Sequence, residues 1–215
     1  FIQGGPGLLP TDPEALPEST ALRSLATVAF EPVWIFTHSL DLSKGLGALA
    51  GKRIAVGLPG SGNLYVARQL LGVYGVQPNS NGTVFVTEGG TAAAAMLRER
   101  QVDALLMIAA PQAQAVQQLL GEGQMRLASL EQVEGLAQRY PYFQPITLKR
   151  GAVDPARNLP AADVHLLATT ANLVVREDLH PALDYMLPEA AKQVHSQPSL
   201  ISRPGEFPNP RDTDY

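Results

Sequence analysis

An α/β fold with a parallel or mixed sheet flanked by helices is what this sequence predicts, and three observations predict it. Short β-prone runs alternate with segments whose apolar residues recur at helical spacing, the connections between them are short, and glycine or proline marks most junctions. With 215 residues, 45% of them hydrophobic and 17% charged, the chain has the size and composition of one generous domain or two small lobes sharing a core. That excludes a largely disordered polymer.

Other function classes fall away on composition. The net charge of −4 supplies no basic footprint, so a nucleic-acid partner is not expected. No apolar run reaches the roughly 18–20 residues that a membrane-spanning helix needs. The absence of cysteine removes disulfides, thiolate metal sites and a thiol nucleophile together, and leaves the redox compartment undecided. The chain opens on Phe1-Ile2 without Met or a signal-like segment, so it reads as a processed or engineered fragment and targeting is not argued from it.

The elements follow in order. Val28 to Thr37 reads as a strand interrupted at Glu31-Pro32, and Lys52 to Gly57 as a second, compact one. Leu64, Ala67, Leu70, Leu71 and Tyr74 then recur at helical spacing, with Gly75 as the C-terminal stop. Thr83 to Thr87 reads as a strand, and Thr91 as the cap of a helix through Arg100. Asp103 to Ala109 is the next strand, and Pro111 suits the opening of a helix that ends at Leu120 before Gly121. Ser129 and Gln132 form a capping-box pattern for a helix stopping at Pro141. Val164 to Arg176 is a long β-prone stretch, followed by a helix from Pro181 to about His195 that contains Pro188. Prolines gather in a first loop, in a middle stretch (Pro141, Pro145, Pro155, Pro160) and in the tail after Ser196, which reads as an extended arm.

In open α/β sheets ligands bind beyond the carboxyl ends of the strands. The segment Ile54-Ala55-Val56-Gly57-Leu58-Pro59-Gly60-Ser61-Gly62-Asn63 puts a glycine-rich turn at such an end, before a helix. Glycine allows close backbone approach, and the first N–H groups of a helix lack helical partners and carry the positive end of its dipole. Together these make an anion site, to which the Ser61 hydroxyl adds a donor. A tight strand-to-helix turn capped by Ser61 or Asn63 is the alternative on the loop alone. A nucleotide-hydrolase phosphate loop is excluded, because Asn63 and Leu64 stand where Lys and Ser or Thr are required. The dinucleotide fingerprint matches in part: Gly60 and Gly62 fit and Glu88 imitates the ribose-binding acid, but Tyr65 replaces the third glycine. A nucleophile elbow fails too, since Pro59 and Asn63 flank Ser61 at the positions that need glycine. His38, His165, His180 and His195 are scattered without ligand or catalytic spacing, and no paired carboxylates stand out. The sequence offers a place to hold an anion, with no cofactor, no metal and no machinery to transform it.

Three ordered segments carry a family resemblance. Ala29-Phe30-Glu31-Pro32-Val33-Trp34-Ile35-Phe36, then Gly51-Lys52-Arg53-Ile54-Ala55-Val56-Gly57 running into Pro59-Gly60-Ser61-Gly62, then Val102-Asp103-Ala104-Leu105 with Ala110-Pro111, resemble the TAXI-type solute receptors. These are the extracytoplasmic binding subunits of TRAP transporters, with the type II periplasmic binding protein fold. Phe1-Ile2-Gln3-Gly4-Gly5 is similar to the end of that family's xxxQGG strand, and Tyr140-Pro141-Tyr142-Phe143 to its YPFY segment. The likeness runs from Phe1 to about Tyr185, with Asn63 where the family often has Thr.

The resemblance implies a two-lobed α/β protein that closes on a small carboxylate-bearing solute, such as an amino acid, and presents it to a membrane permease. It implies a periplasmic or extracytoplasmic location, with any anchor in segments outside this chain, and a first lobe of which only part is printed. Residues 1–43 would belong to lobe one, 44–163 to lobe two, and 164–215 to the return to lobe one and the tail, so two segments cross and hinge closure is expected. Gly60, Ser61, Gly62 and Asn63 would hold the anionic group, with Gln3 and Gly4 facing it from the other lobe. Phe30 and Trp34 lie near the first crossing, where an aromatic would cover an apolar ligand body, although both are also ordinary strand-core residues. Glu31 would receive an ammonium group or pair with an arginine. Glu88 and Gly89, then Pro111 and Gln112, end two further strands and would line the same cleft. Two other functions stay open: a nucleotide-dependent enzyme on a Rossmann-like sheet, and a ligand-sensing effector domain of a regulator.

Overall fold

Two long antiparallel strands organise the chain in a computed structural model that describes residues 2–3 and 22–209. The first, β2 (Leu22–Thr37), follows the two-residue β1 (Ile2–Gln3). A 3₁₀ turn (Leu46–Leu49) then leads into β3 (Arg53–Ala55), α1 (Gly62–Val73), β4 (Val84–Val86), α2 (Gly90–Arg98) and β5 (Ala104–Ile108). After these come α3 (Gln114–Glu122), β6 (Arg126–Leu127), α4 (Val133–Arg139), β7 (Gln144–Leu148), the second long strand β8 (Val164–Arg176) and α5 (Pro181–His195).

The sheet order is β1-β8-β2-β5-β3-β4, with β6 also on β2 and β7 also on β8. β3 pairs in parallel with β4 and β5, while β2 runs antiparallel to β5. The sheet is therefore mixed, as predicted. β2 changes partner part-way along: Leu22 to Pro32 pair with β8, and Val33 to Thr37 pair with β5. The change falls at Pro32, which has no N–H to give to a ladder. β8 branches at the matching place, since Ala168 pairs with Pro32 on one side and Gln144 of β7 on the other. The sequence predicts an interruption at Glu31-Pro32; the strand runs straight through, because the proline sits where the two ladders exchange.

Strand alternation divides the core in two. Val33 and Ile35 join Ile54, Leu64, Leu70, Leu106, Val133 and Leu136 on the face covered by α1 and α4. Trp34 and Phe36, stacked at 6.3 Å, join Ala55, Leu97, Leu105, Val116 and Leu119 on the face covered by α2 and α3. Helices α1 to α4 lie on the sheet through apolar stripes with a period of 3.6 residues, the arrangement that short strand–helix alternation requires, whereas α5 buries only Ala191.

Helix ends show where local signals were overruled. The α1 stop is as expected: Gly75 at φ +71° lets Val76 N–H reach Leu71 O at 3.0 Å and Gly75 N–H reach Gly72 O at 3.0 Å. The N-cap of α2 is Gly89, not Thr91, and the stop of α3 is Gly123, two residues beyond Gly121. Pro111 precedes α3 by three residues instead of opening it. Ser129 caps no helix; its Oγ accepts the N–H of His165 at 2.9 Å and ties this segment to the start of β8. The middle proline stretch contains β7, with Pro145 opposite Leu167 on a strand whose only ladder among the described residues is with β8, a position that tolerates proline. The tail does not simply trail off. Thr27 and Asn209 exchange N–H···O bonds of 2.9 and 2.8 Å, and Phe207 packs edge-to-face on Phe30 with centroids 5.0 Å apart.

Candidate functional site

β3, β4 and β5 end side by side, and the turns into α1, α2 and α3 share that edge. The turn after β3 is built around Gly57. Its φ of +97° is left-handed, and a Cβ there would lie 2.5 Å from Asn63 Nδ2 and 3.0 Å from Ser61 Oγ. Gly57 N–H donates to Glu88 O at 3.0 Å, and Gly89 stands in ordinary contact with Gly57, so the β3 and β4 turns adjoin each other.

Ser61 caps α1: its Oγ accepts Leu64 N–H at 3.2 Å and donates to Leu58 O at 2.7 Å. Asn63 is a staple. Its Nδ2 donates to Val56 O at 2.8 Å and Leu106 O at 3.2 Å, and its Oδ1 accepts Ile108 N–H at 2.6 Å. Both side chains are spent on the protein itself. What remains at the turn is main chain: among the described residues no partner takes the N–H of Gly60, Gly62 or Asn63. Gly60 is exposed, and Gly62 and Asn63 are half-buried. The arrangement can bind an anion through backbone donors.

Glu31 stands close to this edge. Val33 pairs with Ile108, whose N–H is held by Asn63, and Glu31 is the next residue of β2 on the same face, beyond the end of the β5 ladder. It pairs with Thr169, which is fully buried. The Glu31 carboxyl is half-buried, forms no ion pair among the described residues, and is pushed above the usual carboxylate range by burial. Glu88 is also half-buried, and its Oε1 accepts the N–H of its neighbour Gly89 at 3.1 Å.

The other expected residues separate. Pro111 is buried and its carbonyl accepts Gln117 Nε2 at 2.6 Å, while Gln112 is exposed just after the β5 edge. Phe30 is half-buried under Phe207 of the tail. Gln3 pairs with Ala171, which also faces Ala29, so its backbone reaches the crossing region; Gly4 lies outside the described residues. Trp34 is a correction: it is 0% exposed in the core between β2 and the α2–α3 layer, and its indole N–H donates to Ala109 O at 2.9 Å. It covers no ligand, because strand alternation points it away from the face that Glu31 shares with α1. Thr169 escaped the sequence reading, since a threonine in a β-prone run carries no signal of what it faces. Gly57 was visible as part of the glycine turn, but only its backbone angle identifies it as the residue on which the turn depends.

Among the described residues no helix is long and apolar enough to cross a membrane, and no group of acidic or histidine side chains is placed to hold a metal. Comparison with curated proteins gave no match. Solved structures similar to the chain include an ancestral arginine-binding protein bound to arginine, at 12% identity and a TM-score of 0.45, covering 80% of this chain and 57% of that one. An amino acid ABC transporter substrate-binding protein from Streptococcus pneumoniae bound to L-arginine gives 13% identity and 0.45, covering 80% and 55%. The periplasmic aliphatic sulphonate binding protein of Escherichia coli gives 15% and 0.39, covering 80% and 45%. The chain thus spans little more than half the length of the first two of these structures. The model of the NMT1-like family matches residues 14–195, and the chain belongs to that family.

Proposed function

We infer that this protein is the solute-binding subunit of a transporter, working outside the cytoplasm and holding a small carboxylate-bearing solute reversibly at the edge formed by the β3, β4 and β5 turns. The observation that carries the reading is the α1 turn, in which the Ser61 and Asn63 side chains are bound by the protein itself while no described residue takes the N–H groups of Gly60, Gly62 and Asn63. The carboxylate takes those donors, and Glu31 receives an ammonium group on the same solute. Glu88 and Gln112, at the ends of the neighbouring strands, complete the wall on this side. The ordered motifs shared with TAXI-type receptors support the finer assignment, with a TRAP-type permease as the partner.

The two strands that exchange partners at Pro32 and Ala168 serve as the crossing between lobes, with residues 33–37 of β2 and 164–167 of β8 on the side of β5 and β7, and the rest of both strands on the other. Closure then needs angle changes at only a few residues of β2 and β8. Titration of the chain, and of the same protein carrying any flanking sequence, with amino acids and dicarboxylates tests the reading by calorimetry. Saturable binding of at least one carboxylate without chemical change is expected. Failure of every carboxylate to bind the longer protein, or turnover of one that does, overturns it.

A further inference from the structure

A second concave feature lies along the outer side of α1, apart from the turns at its start. A cavity of about 530 Å³ is lined by Tyr65, Arg68, Gln69 and Val73 of α1 and by Arg139 and Tyr140 at the end of α4. Its charge is one-sided. The protein is acidic overall, and Arg23, Arg53, Arg98, Arg126, Arg157 and Arg176 each face an aspartate or glutamate, whereas Arg100, Arg150 and Arg203 stand singly, without an ion pair among the described residues. Arg68 and Arg139 form no ion pair among the described residues, and no acidic side chain lines the cavity. Arg139 instead lies over the Tyr140 ring, 5.7 Å from its centroid.

The tyrosines point the same way. Tyr65 Oη already accepts Gln69 Nε2 at 2.7 Å, which leaves its O–H free to donate. Tyr142, edge-on to Tyr140 at 6.0 Å, has a buried hydroxyl that makes no hydrogen bond. Its phenol is pushed up to about 12 by burial, with the neighbouring Tyr65 and Tyr140 phenols adding to the effect. The cavity is a shallow shelf, not a closed pocket: Tyr65 and Val73 are 39% and 36% exposed, and a side chain placed at Gly72 would meet nothing within 4 Å. Paired tyrosine and arginine side chains around an exposed apolar patch are the composition of a protein-docking centre.

We propose that this groove docks an acidic peptide segment of a partner protein, whose carboxylates engage Arg68 and Arg139 while an apolar side chain covers Val73 and the rings of Tyr65 and Tyr140. The charge complementarity selects the occupant: a chain of net charge −4 leaves two unneutralised guanidinium groups on one shelf, and planar guanidinium forks match carboxylates. The site is separate from the solute site and does not depend on that assignment.

The test titrates the isotopically labelled 215-residue protein with a hexapeptide of alternating glutamate and leucine, followed by NMR at the Gly72 and Val73 amides and the Arg68 and Arg139 side-chain N–H groups. The expected result is a set of shifts confined to these groups. They should weaken at least tenfold in the Arg68→Ala/Arg139→Ala protein and vanish when glutamine replaces glutamate in the peptide. Absence of shifts at millimolar peptide overturns the proposal. So does equal binding of the glutamine peptide, or inorganic phosphate alone reproducing the same shifts at the same concentration, which would make the shelf a small-anion site.

Discussion

Asn63 Oδ1 accepts the main-chain N–H of Ile108 at 2.6 Å, joining the first turn of α1 to the last residue of β5. With its two Nδ2 bonds to Val56 O and Leu106 O, this one side chain sets how α1 stands over two parallel strands. Asn63→Ala leaves a donor and two acceptors without their partner in a half-buried place. A loss of about 2–3 kcal/mol in urea unfolding is expected, together with weakened solute binding, because the α1 N–H groups lose their aim.

Gly57→Ala puts a methyl group 2.5 Å from Asn63 Nδ2 on a backbone with φ +97°. A cost of about 1–3 kcal/mol is expected from the backbone conformation alone, and the displaced Asn63 adds to it. Gly60→Ala serves as the control, since the same left-handed angle there (+75°) meets nothing within 4 Å. If the two variants unfold at the same urea concentration, packing around Gly57 is not what fixes the turn.

The raised pKa of Glu31 has a definite sign. The folded state binds the proton more tightly than the unfolded one, so the buried carboxylate costs stability above its folded pKa, and that cost fades as the pH falls through the folded value towards the ordinary 4.5. Glu31→Gln is therefore expected to be the more stable protein at pH 7, with the difference disappearing below about pH 4.5 in parallel urea series. The same variant should bind an amino acid at least tenfold more weakly, yet leave the affinity for a carboxylate lacking an amine nearly unchanged. Loss of both in a protein that still folds would place Glu31 outside the cation site.

Trp34 is fully buried with its N–H committed to Ala109 O. Its fluorescence should be blue-shifted and resist acrylamide quenching. Trp34→Phe removes the donor and part of a core ring, so a loss of about 1–3 kcal/mol is expected with solute affinity retained. Strong quenching in the native protein would contradict the packing.

Long apolar segments were legible because periodicity reports which face is buried. β8 and α5 have the predicted bounds, and α1 stops at the predicted glycine. A short-range cap signal failed where a distant partner claimed the residue: Ser129 went to His165. Pro32 and Pro145 read as interruptions because a sequence does not show which strands have a vacant side. At the site, the glycine turn was visible, but the division of labour within it was not. Ser61 and Asn63 carry the side chains that suggest ligand contact, whereas their bonds go to the protein and the donors left without a partner among the described residues are main-chain groups.

The bridge between Thr27 and Asn209 sets the far end of the chain against the first half of β2, beside Phe30. Because Thr27 N–H is given to Asn209 O, that single amide serves as a clock for release of the tail. Its deuterium uptake would quicken whenever the strap lifts, and any solute whose capture tightens the crossing would slow it from a distance.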